Sequence, residues 1–294
     1  MGPPERDVIG ASRPSPIFGF MSPVLATSQN GTVASRGNPV LGRIGALSVR
    51  LATDESDVRR AQALRHDVFV EECGAARAGR ENGLEVDAYD VHCDHLLVVD
   101  TARDEVVGTY RLMTQDAARR AGGFYSAGEF DVAAMLARHP ERRFLELGRS
   151  CVHPDHRNRR TIELLWQGAW AYALDRGTDV MFGCASLPGT GPSRHRAALA
   201  YLAENALSAE AWQVRARADG VSLTEFTGTG GNVARMLAAL PPLVKGYLRL
   251  GGRIGPEAVI DRDFGCLDVM VVLPHESISP RYIAHYGEDA SRFA

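Results

Sequence analysis

The chain has 294 residues, 45% apolar and 23% charged, enough to bury one large core or a core with an appendage. A formal net charge of −3 excludes nucleic-acid binding driven by overall charge. No run reaches the roughly 18 apolar residues that a membrane-spanning helix needs. The five cysteines, at positions 73, 93, 151, 184 and 266, contain no CxxC pair, so they read as reduced cytosolic thiols acting mostly as small hydrophobes.

Residues 1–45 are rich in Pro, Gly and Ser and lack periodicity, which predicts a disordered leader. Its apolar run from Pro16 to Met21 is too short and too proline-flanked for a secretory signal, and offers at most a membrane or partner contact. The folded part is expected to be a single domain over 46–290. Leu47 to Ala52 alternates like a strand, and Thr53-Asp54-Glu55 then supplies N-cap chemistry for a helix of about 17 residues. On that helix Val58, Ala61, Leu64 and Val68 form a core stripe. Arg65, Phe69 and Glu72 stand at i, i+4 and i+7 on a neighbouring face, a spacing that by itself reads as an intrahelical ion pair.

Residues 73–91 lack periodicity and hold several acids, so they form a long loop of the kind usually tied to function or motion. His95–Asp100 and Val106–Met113 are β-rich runs around a short polar turn, an antiparallel hairpin. Arg111, among apolar neighbours on the second strand, must lie at a rim or be paired inside. A short helix is expected near Asp131–His139. Phe144 to Val152 is an apolar strand interrupted by Glu146 and Arg149 and ended by His153-Pro154. A basic turn with Arg157, Arg159 and Arg160 leads into a helix on which Ile162, Leu165, Trp166, Ala169, Trp170 and Ala173 recur at helical spacing. Strand, amide-rich turn and helix N-terminus together make an expected anion cradle. Further on, Val180–Ser186 and Phe264–Leu273 read as strands. Ala197–Leu207, Val233–Leu240 and Leu243–Leu250 read as helices, the last stopped by Gly251-Gly252. His92, Cys93 and His95 lack a second ligand pair, so no metal site is expected.

The stretch Val152-x-Pro154-x-x-Arg157, followed after four residues by an apolar helix, resembles the fourth strand and following helix of the GNAT superfamily. That likeness implies an α/β fold with a mixed, mostly antiparallel sheet flanked by helices, here with a helical C-terminal elaboration. The superfamily's turn usually carries [QR]xxGx[GA], whose small residues close around coenzyme A. The corresponding positions here are Arg157, Arg160 and Ile162, so both glycines are missing. A bulkier basic turn fits a donor without adenosine pyrophosphate, such as the acyl-phosphopantetheine of acyl carrier protein.

Phe182–Thr190 and Leu240–Gly251, with Asp94–Val99, Gly108–Leu112 and Leu164–Gly168, are similar to segments of the ornithine N-acyltransferases, bacterial enzymes that make lyso-ornithine lipid from 3-hydroxyacyl carrier protein. Acyl-homoserine-lactone synthases show a related pattern, matched here by Arg65 and Phe69, by Arg111, and by Glu146-Leu-Gly-Arg149. Gly148 replaces their serine, and the long C-terminal stretch, which they lack, argues against lactone synthesis.

These resemblances imply a cytoplasmic enzyme, peripheral to the inner membrane at most, that aminolyses a thioester without a bound cofactor. They imply Glu146 as base or amine anchor, with Arg149 beside it. They also imply Arg111 and Arg149 as a clamp for the ornithine carboxylate, or as ion-pair partners of Glu146 and Asp94. Arg65 and Phe69 would line the substrate site, Asp94 would meet the ornithine side-chain ammonium, and Arg157, Arg159 and Arg160 would hold the phosphopantetheine and its acidic carrier protein. In a regular strand Glu146 and Arg149 face opposite ways, so the pairing requires a bulge at Gly148. The competing readings are another amino acid or an acyl-CoA donor, or a non-catalytic haemolysin-like module contacting acyl carrier or membrane.

Overall fold

A computed structural model describes residues 40–76, 82–229, 231–280 and 282–283. Most of the leader expected over 1–45 therefore lies outside the described residues. Its last part is already folded, because Gly42–Ile44 forms the first strand, β1. β2 (Leu47–Leu51) follows, and then α1 (Glu55–Arg65), whose N-cap Asp54 accepts from the Asp57 amide. α1 continues without a break as a π-helix over His66–Glu72. The wider turn rotates side chains away from 3.6-residue spacing, so Arg65 and Glu72 do not meet. The intrahelical pair read from spacing is replaced by two separate partnerships: Arg65 turns inward, and Glu72 pairs with Arg157.

β3 (Asp94–Asp100) and β4 (Glu105–Thr114) form the expected hairpin. α2 (Gln115–Ala121) and α3 (Val132–Arg138) come next, then β5 (Phe144–Val152) and α4 (Arg159–Asp175). β6 (Val180–Pro188), α5 (Arg196–Asn205), the two-residue β7 (Val221–Ser222), α6 (Val233–Ala239) and α7 (Pro242–Leu250) lead to the closing hairpin of β8 (Arg253–Asp261) and β9 (Cys266–Pro274). Among the described residues, nine strands make one sheet in the order β1-β2-β3-β4-β5-β6-β9-β8-β7. Each neighbouring pair is antiparallel except β5 with β6.

Helices cover both sheet faces. On one face α4 to α7 bury Leu164, Leu199, Met236 and Val244 against Leu96, Leu112 and Leu145. On the other, α2 and α3 bury Ala117, Val132 and Met135 against Phe144, Phe182 and Val272, and α1 seats Ala61 on Leu97 and Val99. α4 lies unusually close to the sheet. A Cβ at Gly168 would stand 2.6 Å from a Val49 methyl and 2.9 Å from Leu96, so this helical glycine is a packing requirement. No helix among the described residues is long and apolar enough to cross a membrane.

Candidate active site

The site arises where β5 and β6 part. Their parallel pairing covers only Phe144–Glu146 against Val180–Phe182. Gly183 then lies so close to β5 that a Cβ there would sit 2.1 Å from the Leu147 carbonyl oxygen. β6 pairs with β9 along its whole length, Val180–Pro188, whereas its pairing with β5 stops at Phe182. A cavity of about 220 Å³ opens in the wedge, between Glu146–Ser150 on one side and Cys184 and Ser186 on the other.

A bulge does bring Glu146 and Arg149 to one place. Thr109 faces Cys151 and Arg111 faces Gly148, so Arg149 and Ser150 together oppose Tyr110. The strained residue is Arg149, with φ +51°, rather than the expected Gly148. Both Glu146 and Arg149 line the cavity. Glu146 is buried, and its two carboxylate oxygens accept from the backbone N–H of Tyr125 and Ser126, each at 2.8 Å. Burial pushes the carboxyl above its ordinary value, opposed by Ser126, the Tyr125 amide and the Arg111 charge. Its partners are thus amides of the segment between α2 and α3, not arginines.

The arginines have other partners. Arg65 donates to Asp90 through Nη1 at 2.9 Å and Nη2 at 2.6 Å, and its Nε lies 2.6 Å from Glu85. Arg111 contacts Asp87 at 2.6 Å and Asp90 at 3.0 Å. Arg149 contacts Glu85 at 3.1 Å and Asp87 at 3.0 Å, with its guanidinium over the rings of Tyr125 and Phe264. Three arginines from three elements therefore lock onto three acids of the loop expected over 73–91. Burial of so many charges is sustained because each has an opposite partner. Arg65 and Arg111 do not line the cavity, since the loop acids hold both below the surface, whereas Arg149 does reach it.

Asp94 also lies outside the cavity lining. Its carboxylate accepts from the Tyr172 hydroxyl at 2.6 Å and sits 3.6 Å from Arg176. Phe69 does reach the cavity, edge-on to Phe264 with centroids 5.7 Å apart. Near the β6 wall a different acidic corner appears. The Cys184 thiol contacts Glu129 at 3.9 Å, and the Cys266 thiol contacts Asp268 at 3.1 Å. Burial, with Asp268 and Asp261 close by, raises the Glu129 carboxyl to about 7. Burial likewise holds the Cys184 thiol well above its ordinary value, so it is a poor nucleophile.

The basic turn differs from the expected cradle. Arg157 makes a two-pronged contact with Glu72, at 2.6 and 2.5 Å, and donates to the Val152 carbonyl. Asn158 caps α4 by accepting from the Arg160 and Thr161 amides, so its side chain takes up part of the donor set that would meet an anion. Arg159 and Arg160 are exposed.

Residues 64–167 match the model of the acetyltransferase (GNAT) domain. An L-ornithine N(alpha)-acyltransferase of Rhizobium meliloti (strain 1021) is 49% identical over 271 residues, covering 89% of this chain and 91% of the relative. The enzyme of the same name from Brucella abortus (strain 2308) is 48% identical over 277 residues, covering 90% and 98%. Among solved structures, an N-acyl amino acid synthase from uncultured soil microbes aligns with a TM-score of 0.47 and 10% identity, over 78% of this chain and 90% of that one. Near-half identity across nine-tenths of the sequence, on a sheet that splits into a lined cavity at β5 and β6, makes this chain an acyltransferase of the L-ornithine N(alpha)-acyltransferase family, within the GNAT superfamily.

Proposed function

We propose that this enzyme moves a 3-hydroxyacyl chain from acyl carrier protein to the α-amino group of L-ornithine, giving lyso-ornithine lipid in the cytoplasm, at the face of the inner membrane at most. The observation that carries the acceptor is the 48–49% identity to proteins named for ornithine Nα-acylation. The donor rests on the turn after β5. Its exposed arginines and the absence of both coenzyme-A glycines favour a single phosphodiester on an acidic carrier. Because Asn158 caps the α4 amides, Arg157, Arg159 and Arg160 side chains would make the phosphate contacts.

On this reading both substrates bind together and the amine attacks the thioester directly. Ornithine arrives as an ammonium, so Glu146 takes its first proton or anchors it, and Arg149 faces the carboxylate. The acidic corner of half-buried Glu129 and buried Asp268, which contacts the cavity-lining thiols of Cys184 and Cys266, then receives the side-chain ammonium. A backbone amide at the Arg149 bulge would polarise the carbonyl.

The test supplies ornithine with either 3-hydroxyacyl carrier protein or the matching acyl-CoA, and detects N-acyl product by mass. Turnover on acyl-CoA with none on the carrier-protein donor sinks the donor assignment. Norvaline, which lacks the side-chain ammonium, is expected to react at least about tenfold more slowly than ornithine, one lost charge-assisted contact.

A further inference from the structure

α6 and α7 carry a surface that the chemistry above does not use. Among the described residues four large apolar side chains are exposed, and two of them, Val233 and Leu237, stand one turn apart on α6. Ala234 and Ala238 continue the same exposed arc, so α6 turns an apolar side to water where a surface helix normally places polar residues. Cations border the arc. Arg235 is exposed on α6, Arg249 is exposed on α7, and half-buried Lys245 reaches back to donate to the Ala238 carbonyl at 2.9 Å. Lys245 and Arg249 share the outward side of α7 with Pro242, while Val244, Tyr247 and Leu250 face the core. No Asp or Glu occurs anywhere from Phe226 to Pro256, in a chain with 36 acids against 33 Lys and Arg.

We propose that this α6–α7 surface docks on an anionic phospholipid bilayer, with Val233 and Leu237 entering the boundary between headgroups and acyl chains and Arg235, Lys245 and Arg249 meeting lipid phosphates. Aliphatic side chains bordered by Lys and Arg, without acids, are the composition of a helix that lies in a membrane interface. Two other occupants fit less well. A second copy of this chain, related by a twofold axis, would set the same cations against one another. An acidic carrier protein would meet the cations, but Val233 and Leu237 need an apolar partner, which the bilayer supplies.

Position links this surface to the site. Leu243 and Tyr247 of α7 line the cavity. Tyr247 is fixed there by a 2.7 Å hydrogen bond between its hydroxyl and that of Tyr110, and by Trp166, edge-on with centroids 4.7 Å apart. One helix therefore has the cavity on one side and the cationic surface on the other. On the reading above, on which this link rests, the product is a single-chain amphiphile, and the docked surface gives its acyl chain a bilayer to enter.

The test floats the full chain with vesicles of phosphatidylcholine alone and with vesicles holding an equal part of phosphatidylglycerol. The parent is expected on the anionic vesicles, with binding that weakens as salt rises. Arg235→Gln with Arg249→Gln is expected to lower that partitioning on the order of twentyfold, about fivefold per cation. Val233→Ser with Leu237→Ser is expected to lower it at least about tenfold. Since all four positions are exposed, both double variants should keep the parental unfolding midpoint. No flotation of the parent overturns the proposal. So does parental flotation of either double variant, including the case in which that variant instead raises KM for a carrier-protein donor and so assigns the surface to the carrier. The vesicle assay contains no substrate, so a different donor or amine would refute the proposed reaction and leave this test intact.

Discussion

Glu146 shows how burial and hydrogen bonding set a residue's chemistry against each other. Two backbone amides at 2.8 Å favour the carboxylate, while removal from water opposes it more strongly. A carboxyl poised above its ordinary value suits a proton acceptor. Glu146→Gln keeps the size but turns an NH2 toward one of those amides. Its kcat is expected to fall about 10²-fold or more. The lost acceptor should also cost about 1–3 kcal/mol, read by denaturant unfolding. Unchanged turnover in a folded variant would remove the proton-acceptor role. Since the carboxylate is the active form, the wild-type rate should fall as pH drops through a midpoint above the ordinary glutamate value, and that acid limb should vanish in the variant.

The decisive element is the junction of β5 and β6. Two strands that paired along their full length would leave no cavity, and these pair over three residues before separating. Gly183 sits at the branch because no side chain fits beside the Leu147 carbonyl. Gly183→Ala is expected to lose about 1–3 kcal/mol through overpacking against backbone. The displaced strand should also raise KM or lower kcat. A variant with parental unfolding midpoint and kinetics would show that the strand approach is looser than this. The motif containing Gly183 resembled a family hallmark, but its physical reason needed the neighbouring strand. Gly168 repeats the lesson, since its helical position has no local explanation until Val49 and Leu96 appear beneath it.

At the scale of the whole molecule, Glu85, Asp87 and Asp90 tie α1, β4 and β5 together through Arg65, Arg111 and Arg149. This network fixes the bulge and hence the cavity wall. Asp90→Asn leaves Arg65 and Arg111 short of a charge, so a loss of about 3–5 kcal/mol is expected. The arginines hold the Asp90 carboxyl well below its ordinary value against the cost of burial. A depressed carboxyl contributes stability above its unfolded value, near 4, and that contribution disappears as pH falls toward the folded one. The gap between parent and variant should therefore narrow below about pH 4. An unfolding series showing a constant gap from pH 7 to pH 3 would refute the assignment.

The sequence by itself carried everything that depends on local period and local chemistry. It placed the strand at Phe144–Val152, the helix after the basic turn and the hairpin of β3 and β4, while the resemblance marked Glu146, Arg149 and Phe69, all of which reach the cavity. Resemblance added the family, which near-half identity then established. Some facts belong to the fold alone. Charge partners are chosen by distance in space, so Arg65 spaced for Glu72 finds Glu85 and Asp90 instead, and Asp94 joins Tyr172 rather than lining the cavity. Strand divergence depends on which neighbour each strand prefers, and periodicity is blind to that. The loop acids, the Glu129–Asp268 corner and the meeting of Tyr110 with Tyr247, 137 residues apart, were therefore decided only when the sheet brought them together.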